Sequence, residues 1–205
     1  MDRRRSRVSL RIAISAVIPA YNAEDSIERT FASVTSQTLQ PNEIVVVDDG
    51  STDSISRCVD EFRSQFPEFP IHLILQSNKG PGGARNSGVY HATSEYIAFL
   101  DSDDLWYPHK LQRVIAAIRE HPEAELFCHD EYLCSTHGTI KRRVRVGPAV
   151  QDMYEHLLFR RNSVLTSAVV LRKEAFHAVG EFSEDRALDS NEDWDLRLRL
   201  ARAHY

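Results

Sequence analysis

The chain is poor in the features that most often point to a function. Its three cysteines, Cys58, Cys128 and Cys134, are odd in number and form no CxxC pair. Neither a disulfide framework nor a zinc ribbon is indicated, and a reducing, cytoplasmic setting fits best. Nine histidines occur without an HExxH pair, which removes the commonest helical zinc site. No run approaches the ~20 apolar residues needed to span a bilayer. Cations are outnumbered, 25 Lys and Arg against 30 Asp and Glu for a net charge of -5. That balance argues against a general electrostatic grip on nucleic acid, so an anionic ligand has to be held locally. No internal repeat, low-complexity block or linker interrupts the chain.

With 205 residues, 42% of them hydrophobic, the chain can bury one substantial core and falls short of two ordinary domains. Residues 1–10, beginning Met1-Asp2-Arg3-Arg4-Arg5, read as a basic flexible tail. A second reading gives Arg3, Arg4, Arg5 and Arg7 a peripheral contact with an anionic membrane surface, at about 1 kcal/mol per basic residue. From residue 11 onward, short β-rich runs alternate with helical patterns, the signature of crossover units building a parallel sheet.

Strands are expected at Ile12 to Ile18, Glu43 to Val47, Ile71 to Leu75 and Tyr96 to Leu100. The unbroken Ile44-Val45-Val46-Val47 suits burial on both faces. Asn22 is placed to cap a helix bearing Ile27, Phe31 and Val34, and Ser51 or Thr52 to begin one bearing Ile55, Val59 and Phe62. Gly80-Pro81-Gly82-Gly83 reads as a turn before a helix from Ala84 to His91. Leu111, Val114, Ile115 and Ile118 mark another amphipathic helix. Past Pro122 the pattern predicts strands at Glu125 to Leu133, Thr139 to Val146 and Leu165 to Leu171. Helices are expected at Val150 to Phe159, Lys173 to Val179 and Glu192 to Ala203.

Three polar clusters fall just past strand C-termini: Pro19-Ala20-Tyr21-Asn22, Asp48-Asp49-Gly50-Ser51 and Asp101-Ser102-Asp103-Asp104. Each alone reads equally well as a turn or a helix cap. Together they occupy the edge where open parallel α/β sheets bind ligands. Five aspartates there need a counter-charge, since two unit charges about 4 Å apart repel by roughly 4 kcal/mol at an effective dielectric near 20. Oxygen donors without histidine or thiolate suit Mg²⁺ or Mn²⁺, ions that commonly bridge to substrate phosphates. Lys79 and Arg85, beside the glycine-rich turn, are the basic helpers at hand.

Five ordered segments carry a family resemblance: Val17-Ile18-Pro19-Ala20-Tyr21-Asn22-Ala23-Glu24, Val45 through Asp53, Gly83-Ala84-Arg85-Asn86, Phe99 through Asp104, and Asn191-Glu192-Asp193-Trp194-Asp195. In this order and spacing they resemble the motifs of family-two inverting glycosyltransferases, from Val17 to Ala201. Arg161-Asn162 and Ser167 to Gly180 resemble the segment before that family's last acidic motif. The resemblance implies a GT-A fold, an α/β domain with a mostly parallel, Rossmann-like central sheet flanked by helices. It also implies a nucleotide-sugar donor, usually UDP-linked, a saccharide or lipid-linked acceptor, and Mn²⁺ or Mg²⁺.

Carried over residue by residue, Pro19, Tyr21 and Asp49 would hold the base, and Arg85 would help with the donor. Asp101 and Ser102 would lie by the ribose and metal waters, Asp103 would bind the ion, and Asp193 would be the general base. The nucleotide half would span about 11–122 and the acceptor half about 123–205. Relatives of this kind normally continue past the late Glu-Asp pair, so the expectation is a chain lacking the usual C-terminal extension. His204 arrives too early to complete a metal site. Competing readings are a non-catalytic nucleotide-sugar module or fragment, and a sugar nucleotidyltransferase, which would need a glycine-rich phosphate loop near its start. Trp194 reads as core, and Lys141, Arg142, Arg143 and Arg145 as a solvated hairpin or a greeting for an anionic acceptor. A cytoplasmic protein, without a membrane-spanning run and able to lie at the inner face of the cell membrane, completes the expectation.

Overall fold

A run such as Ile44-Val45-Val46-Val47 can be wholly buried only where a sheet is covered on both faces, and the computed structural model has that arrangement. It describes residues 12–135, 138–148, 150–159 and 164–203. The tail at 1–10, Arg161, Asn162 and His204 lie outside them. Four crossover units come first: β1 (Ile14–Ala20), α1 (Ile27–Thr35), β2 (Glu43–Asp48), α2 (Ile55–Gln65), β3 (Ile71–Leu75), α3 (Gly80–His91), β4 (Tyr96–Phe99) and α4 (Lys110–Glu120). Next come β5 (Leu126–Phe127), β6 (Glu131–Cys134), β7 (Ile140–Val144) and α5 (Met153–Phe159). A 3-10 turn (Thr166–Ala168), β8 (Val170–Arg172), α6 (Lys173–Ala178) and α7 (Glu192–Arg202) follow.

The main sheet runs β3-β2-β1-β4-β8-β5, and β6 pairs only with β7 as a separate hairpin. β3, β2, β1 and β4 are parallel, while β8 lies antiparallel to both β4 and β5. The chain is thus a single α/β domain with a mixed, mainly parallel sheet flanked by helices. Strand alternation divides its core in two. Ile14, Ala16 and Ile18 join Ile27 and Phe31 of α1, Val59 of α2 and Leu111 of α4. Val17, Val45, Val47 and Phe99 join Val89 of α3, Phe176 of α6 and Leu196 of α7. Each of the Val, Ile, Leu and Phe side chains among them contributes about 1.5–3 kcal/mol when fully buried.

Several boundaries differ from expectation for identifiable reasons. Asn22 does not cap α1: it has φ 49, in the left-handed region its short polar side chain tolerates, and its Oδ1 accepts from the Thr52 backbone N–H at 2.9 Å. α2 begins at Ile55 rather than at Ser51 or Thr52, because the Ser51 N–H donates to Asp48 Oδ1 at 2.8 Å in a preceding turn. Glu125 to Leu133 is not one strand. β5 ends at Phe127, and Asp130 is drawn off to accept from Val146 N–H at 3.0 Å and from Arg143. Leu165 to Leu171 starts as a 3-10 turn because the Ser167 carbonyl accepts from Lys110 Nζ at 2.6 Å and Trp106 Nε1 at 3.2 Å. Those bonds take it out of a ladder. Cys128 lies past β5 and is exposed.

Helix α3 presses closely on the sheet through Gly88, where an added Cβ would strike Val17 and come within 3.3 Å of Val47 Cγ2. Both valines are fully buried and cannot withdraw without moving β1 and β2. Gly88→Ala is therefore expected to lower stability by about 1–3 kcal/mol through overpacking, measured by urea denaturation.

Candidate active site

The C-terminal ends of β1, β2 and β4 meet at one edge, and their loops are bound to one another by side chains acting on backbone. Asn22 N–H donates to Ser51 Oγ at 3.0 Å, Glu24 N–H to Asp53 Oδ2 at 2.8 Å, and Ser54 N–H to Glu24 Oε2 at 2.8 Å. This reciprocal lacing fixes the first polar cluster against the second. It leaves Pro19 half-buried at the end of β1 and the Tyr21 ring 55% exposed at the rim.

Asp49 is buried and works as a cap for α3 from outside the helix. Its Oδ1 accepts from Lys79 N–H at 2.8 Å and Gln76 Nε2 at 2.7 Å, and its Oδ2 from Gly80 N–H at 2.8 Å. Orphan amides at a helix start need such acceptors. The glycine-rich segment can accordingly be the first turn of α3 rather than a separate loop, with Gly80 at φ 82, where glycine is favoured. Three of about four acceptor positions on this carboxylate are filled, which leaves one for a ligand.

From α3 the network passes to β4 and α7 through Arg85. Its Nη2 donates to Asp101 Oδ1 at 2.7 Å and its Nη1 to Glu192 Oε1 at 2.6 Å, with the guanidinium 5.5 Å from the centre of the Phe182 ring. Arg85 is 5% exposed. Burial pulls its pKa down, but Asp101 first and then Glu192 outweigh that and hold it above the ordinary value. The expected donor-facing helper is in this structure the bridge between two acids. Glu192, read from sequence mainly as a helix-start residue, is its buried partner. Nothing in the spacing of residues 85 and 192 signalled the pair.

Asp101 N–H donates to Ser167 Oγ at 3.0 Å, and Thr30 Oγ1 donates to the Ser102 and Asp104 carbonyls at 2.8 and 3.0 Å. These bonds hold the acidic turn from both sides. Asp103 at its apex is exposed, and no hydrogen bond or ion pair engages its carboxylate among the described residues. Desolvation raises the pKa of Asp104, and the charges of Asp101 and Asp103 push it further. Behind the turn Lys110 is buried, its Nζ 4.1 Å from the centre of the Trp106 ring; burial lowers its pKa to about 7. Glu131 faces it, raised to about 7 by burial and then by Asp104. Lys110, Glu131 and Ser167 were not anticipated, because their approach depends on the β5 and β8 placement that sequence periodicity misjudged.

Asp193, in the first turn of α7, accepts through Oδ2 from Arg197, one helical turn on, and from Thr166 Oγ1 at 3.3 Å. Its Oδ1 accepts no bond among the described residues. Thr166 and Ser167 are consecutive, so one turn touches both Asp193 and the Asp101 backbone. Asp49, Asp101 and Asp193 thus belong to one continuous network. Among the described residues no three His, Cys, Asp or Glu side chains form a ready metal cage. An ion that takes one or two carboxylates and fills its shell with phosphate and water needs none, and the oxygen donors and crowded charge of the Asp101–Asp104 turn fit such an ion.

A mixed sheet of this order with an acidic turn at the end of β4 defines the GT-A class of fold. Solved structures with that fold include Staphylococcus aureus TarS 1-349 in complex with UDP (TM-score 0.70, 24% identity, covering 92% of this chain and 55% of that one). Another is the mannosyltransferase PcManGT from Pyrobaculum calidifontis in complex with GDP-Man and Mn2+ (TM-score 0.65, 21% identity, 89% and 51% covered). The Glycosyl transferase family 2 model matches residues 15–178, and the chain belongs to that family. An uncharacterized glycosyltransferase of Nostoc sp. is 34% identical over 170 residues, 81% of this chain and 52% of its own length. The amylovoran biosynthesis glycosyltransferase AmsB of Erwinia amylovora is 29% identical over 194 residues, 92% and 64% respectively. The chain therefore spans about half to two thirds of these relatives.

Arg85→Met should cost about 3–5 kcal/mol, because Glu192 is left buried without its counter-charge; Arg85→Met with Glu192→Gln should regain part of the loss in urea titrations. Lys110 yields a pH expectation. Its folded pKa of about 7 lies below the unfolded value of 10.5, so between those limits the unfolded chain binds more protons and stability rises with pH. Relative to Lys110→Met, the wild type should gain stability from about pH 7 to pH 10.5, as read by thermal melts across that range.

Proposed function

We propose that this chain is the donor-binding and catalytic domain of an inverting glycosyltransferase. It moves a sugar from a nucleoside diphosphate, UDP by first choice, to an acceptor hydroxyl with Mn²⁺ or Mg²⁺ as cofactor. The observation that carries this reading is the closed network from Asp49 through α3 and Arg85 to Asp101 and Glu192, adjoining Asp193. TarS in complex with UDP and PcManGT in complex with GDP-Man and Mn2+ support the donor class and the metal. The name of AmsB supports polysaccharide biosynthesis as the setting.

In this reading Pro19, Tyr21 and Asp49 receive the base, Tyr21 by its exposed ring and Asp49 by its remaining acceptor position. Asp101 and Ser102 border the ribose and metal waters, and Arg85 keeps the Asp101 carboxylate aimed. Asp103 would hold the divalent ion, which when bound stabilises negative charge on the departing diphosphate as a Lewis acid. Arg197 and Thr166 pin one oxygen of Asp193, leaving Oδ1 to take the proton of the acceptor hydroxyl as it attacks opposite the leaving group. Residues 11–122 form the nucleotide half and 123–205 the acceptor half. Among the described residues no helix is long and apolar enough to cross a membrane. We place the reaction in the cytoplasm, at the inner face of the membrane where the acceptor is lipid-linked, with the N-terminal arginines as the contact.

UDP with Mn²⁺ is expected to raise the melting temperature by mass action, and UDP with a chelator to do so much less. Equal shifts would defeat the assignment of Asp103. Asp193→Asn should keep the UDP shift while transfer to acceptor falls about 10²–10⁴-fold; undiminished transfer would remove Asp193 from the mechanism.

A further inference from the structure

The β6–β7 hairpin is strongly basic on a chain of net charge -5: Lys141, Arg142 and Arg143 lie in β7, and Arg145 follows it. Tyr132 pairs with Arg143, which puts those two on one face; the register shifts between Leu133 and Cys134, so Lys141 has no partner in the pairing and is the extra residue of a bulge beside them. Glu131 pairs with Val144 and Leu133 with Arg142 on the other. Glu131 feels the charges of Asp104, Lys110 and Asp101, so the base of the hairpin stands against the acidic turn. Tyr132 reaches the same turn by another route: its ring lies edge-on to Tyr107, centroids 6.0 Å apart, four residues past Asp103.

Both tyrosines are exposed, 63% for Tyr107 and 42% for Tyr132. An exposed aromatic pair beside a catalytic edge is a natural stacking surface for the C–H face of a sugar ring, each ring offering an apolar body and a polar tip. The cations around it are only partly engaged. Arg143 is bonded to Asp130 at 2.6 Å, and Arg145 is near enough to help hold the Asp130 carboxyl below its ordinary range. Lys141 is exposed and makes no ion pair among the described residues.

We propose that Tyr107 and Tyr132, with Lys141 and Arg145, form the acceptor platform, and that the acceptor is an anionic saccharide. Charge complementarity to this basic hairpin, on a chain of net charge -5, selects this occupant over a neutral glycan. Carboxylate-bearing and phosphodiester-bearing chains share the required chemistry. The inference rests on the transferase reading above and names the substrate class for the same site.

The test is calorimetric titration of the full chain, loaded with UDP and Mn²⁺, with an oligogalacturonate, a glycerol-phosphate oligomer and neutral maltopentaose. At least one anionic oligomer should bind about tenfold tighter than maltopentaose at low salt and lose that margin as salt rises. Which one does so identifies the acidic group. Lys141→Gln with Arg145→Gln should abolish the margin, Tyr132→Ala should weaken every oligomer, and all variants should keep the UDP shift. Arg142→Gln, on the opposite face, should change little. Equal affinity for neutral and anionic oligomers would overturn the proposal, as would an equal loss from Arg142→Gln. Binding to phosphatidylglycerol vesicles without binding of either anionic oligomer would also overturn it, giving the cations to a membrane surface. Absence of the UDP shift in the wild type would instead sink the donor reading.

Discussion

The arrangement depends on one buried cation between two acids. Arg85 binds the end of β4 through Asp101 and the start of α7 through Glu192, two segments separated by most of the second half of the chain. Such a group is costly to desolvate, and the geometry has to be good on both sides for the attraction to offset that cost. Each terminal nitrogen reaches its own carboxylate oxygen, while Arg85 Nε and Glu192 Oε2 are buried without a partner among the described residues. The effect is specification rather than bulk stability. Apolar packing alone would let α7 slide along the sheet, whereas a fork with two fixed acceptors admits one position, and Asp193 is the residue next to one of them.

Around that fork the loops are organised by polar side chains that cap backbone across long sequence distances. Asp49 ends the orphan amides of α3, Ser167 takes the Asp101 N–H, and Thr30 secures two carbonyls of the acidic turn. Each contact satisfies a backbone group that would otherwise be stranded at a strand end or helix start. Asp49, Asp101 and Ser167 therefore serve the fold and the crevice at once. Substitutions among them would disturb the fold and the crevice together, whereas the exposed Asp103 can be varied without touching these backbone contacts.

The first hundred residues were legible because their signals are local. Ile44 to Val47, the Ile27-Phe31-Val34 stripe and Ile71 to Leu75 each carry a periodicity that needs no partner to interpret. The polar clusters at 19–22, 48–51 and 101–104 also read correctly as one edge, since parallel topology alone brings strand ends together. Sequence reasoning failed where structure is decided by distant partners. Asn22 yields its capping position to Thr52, Ser167 leaves its strand for Lys110 and Trp106, and Gly80 enters a helix because Asp49 waits for it. The Arg85–Glu192 and Asp193–Arg197 pairs belong to the same class. The first is invisible at any short spacing, and the second, four residues apart on a helix, was legible in principle as a helical ion pair that would restrain a carboxylate.

Strand β8 also bears on how the chain is made. It is inserted between β4 and β5, so Leu126 and Phe127 can find their sheet neighbour only after Val170 to Arg172 exist. During synthesis the four parallel strands can assemble from the emerging N-terminal portion, while β5 waits for some forty further residues. Domains generally gain order from the N-terminus first, and long-range pairings come late. The parallel half of the sheet would thus emerge already shaped, and the seam that brings α7 to it would close last.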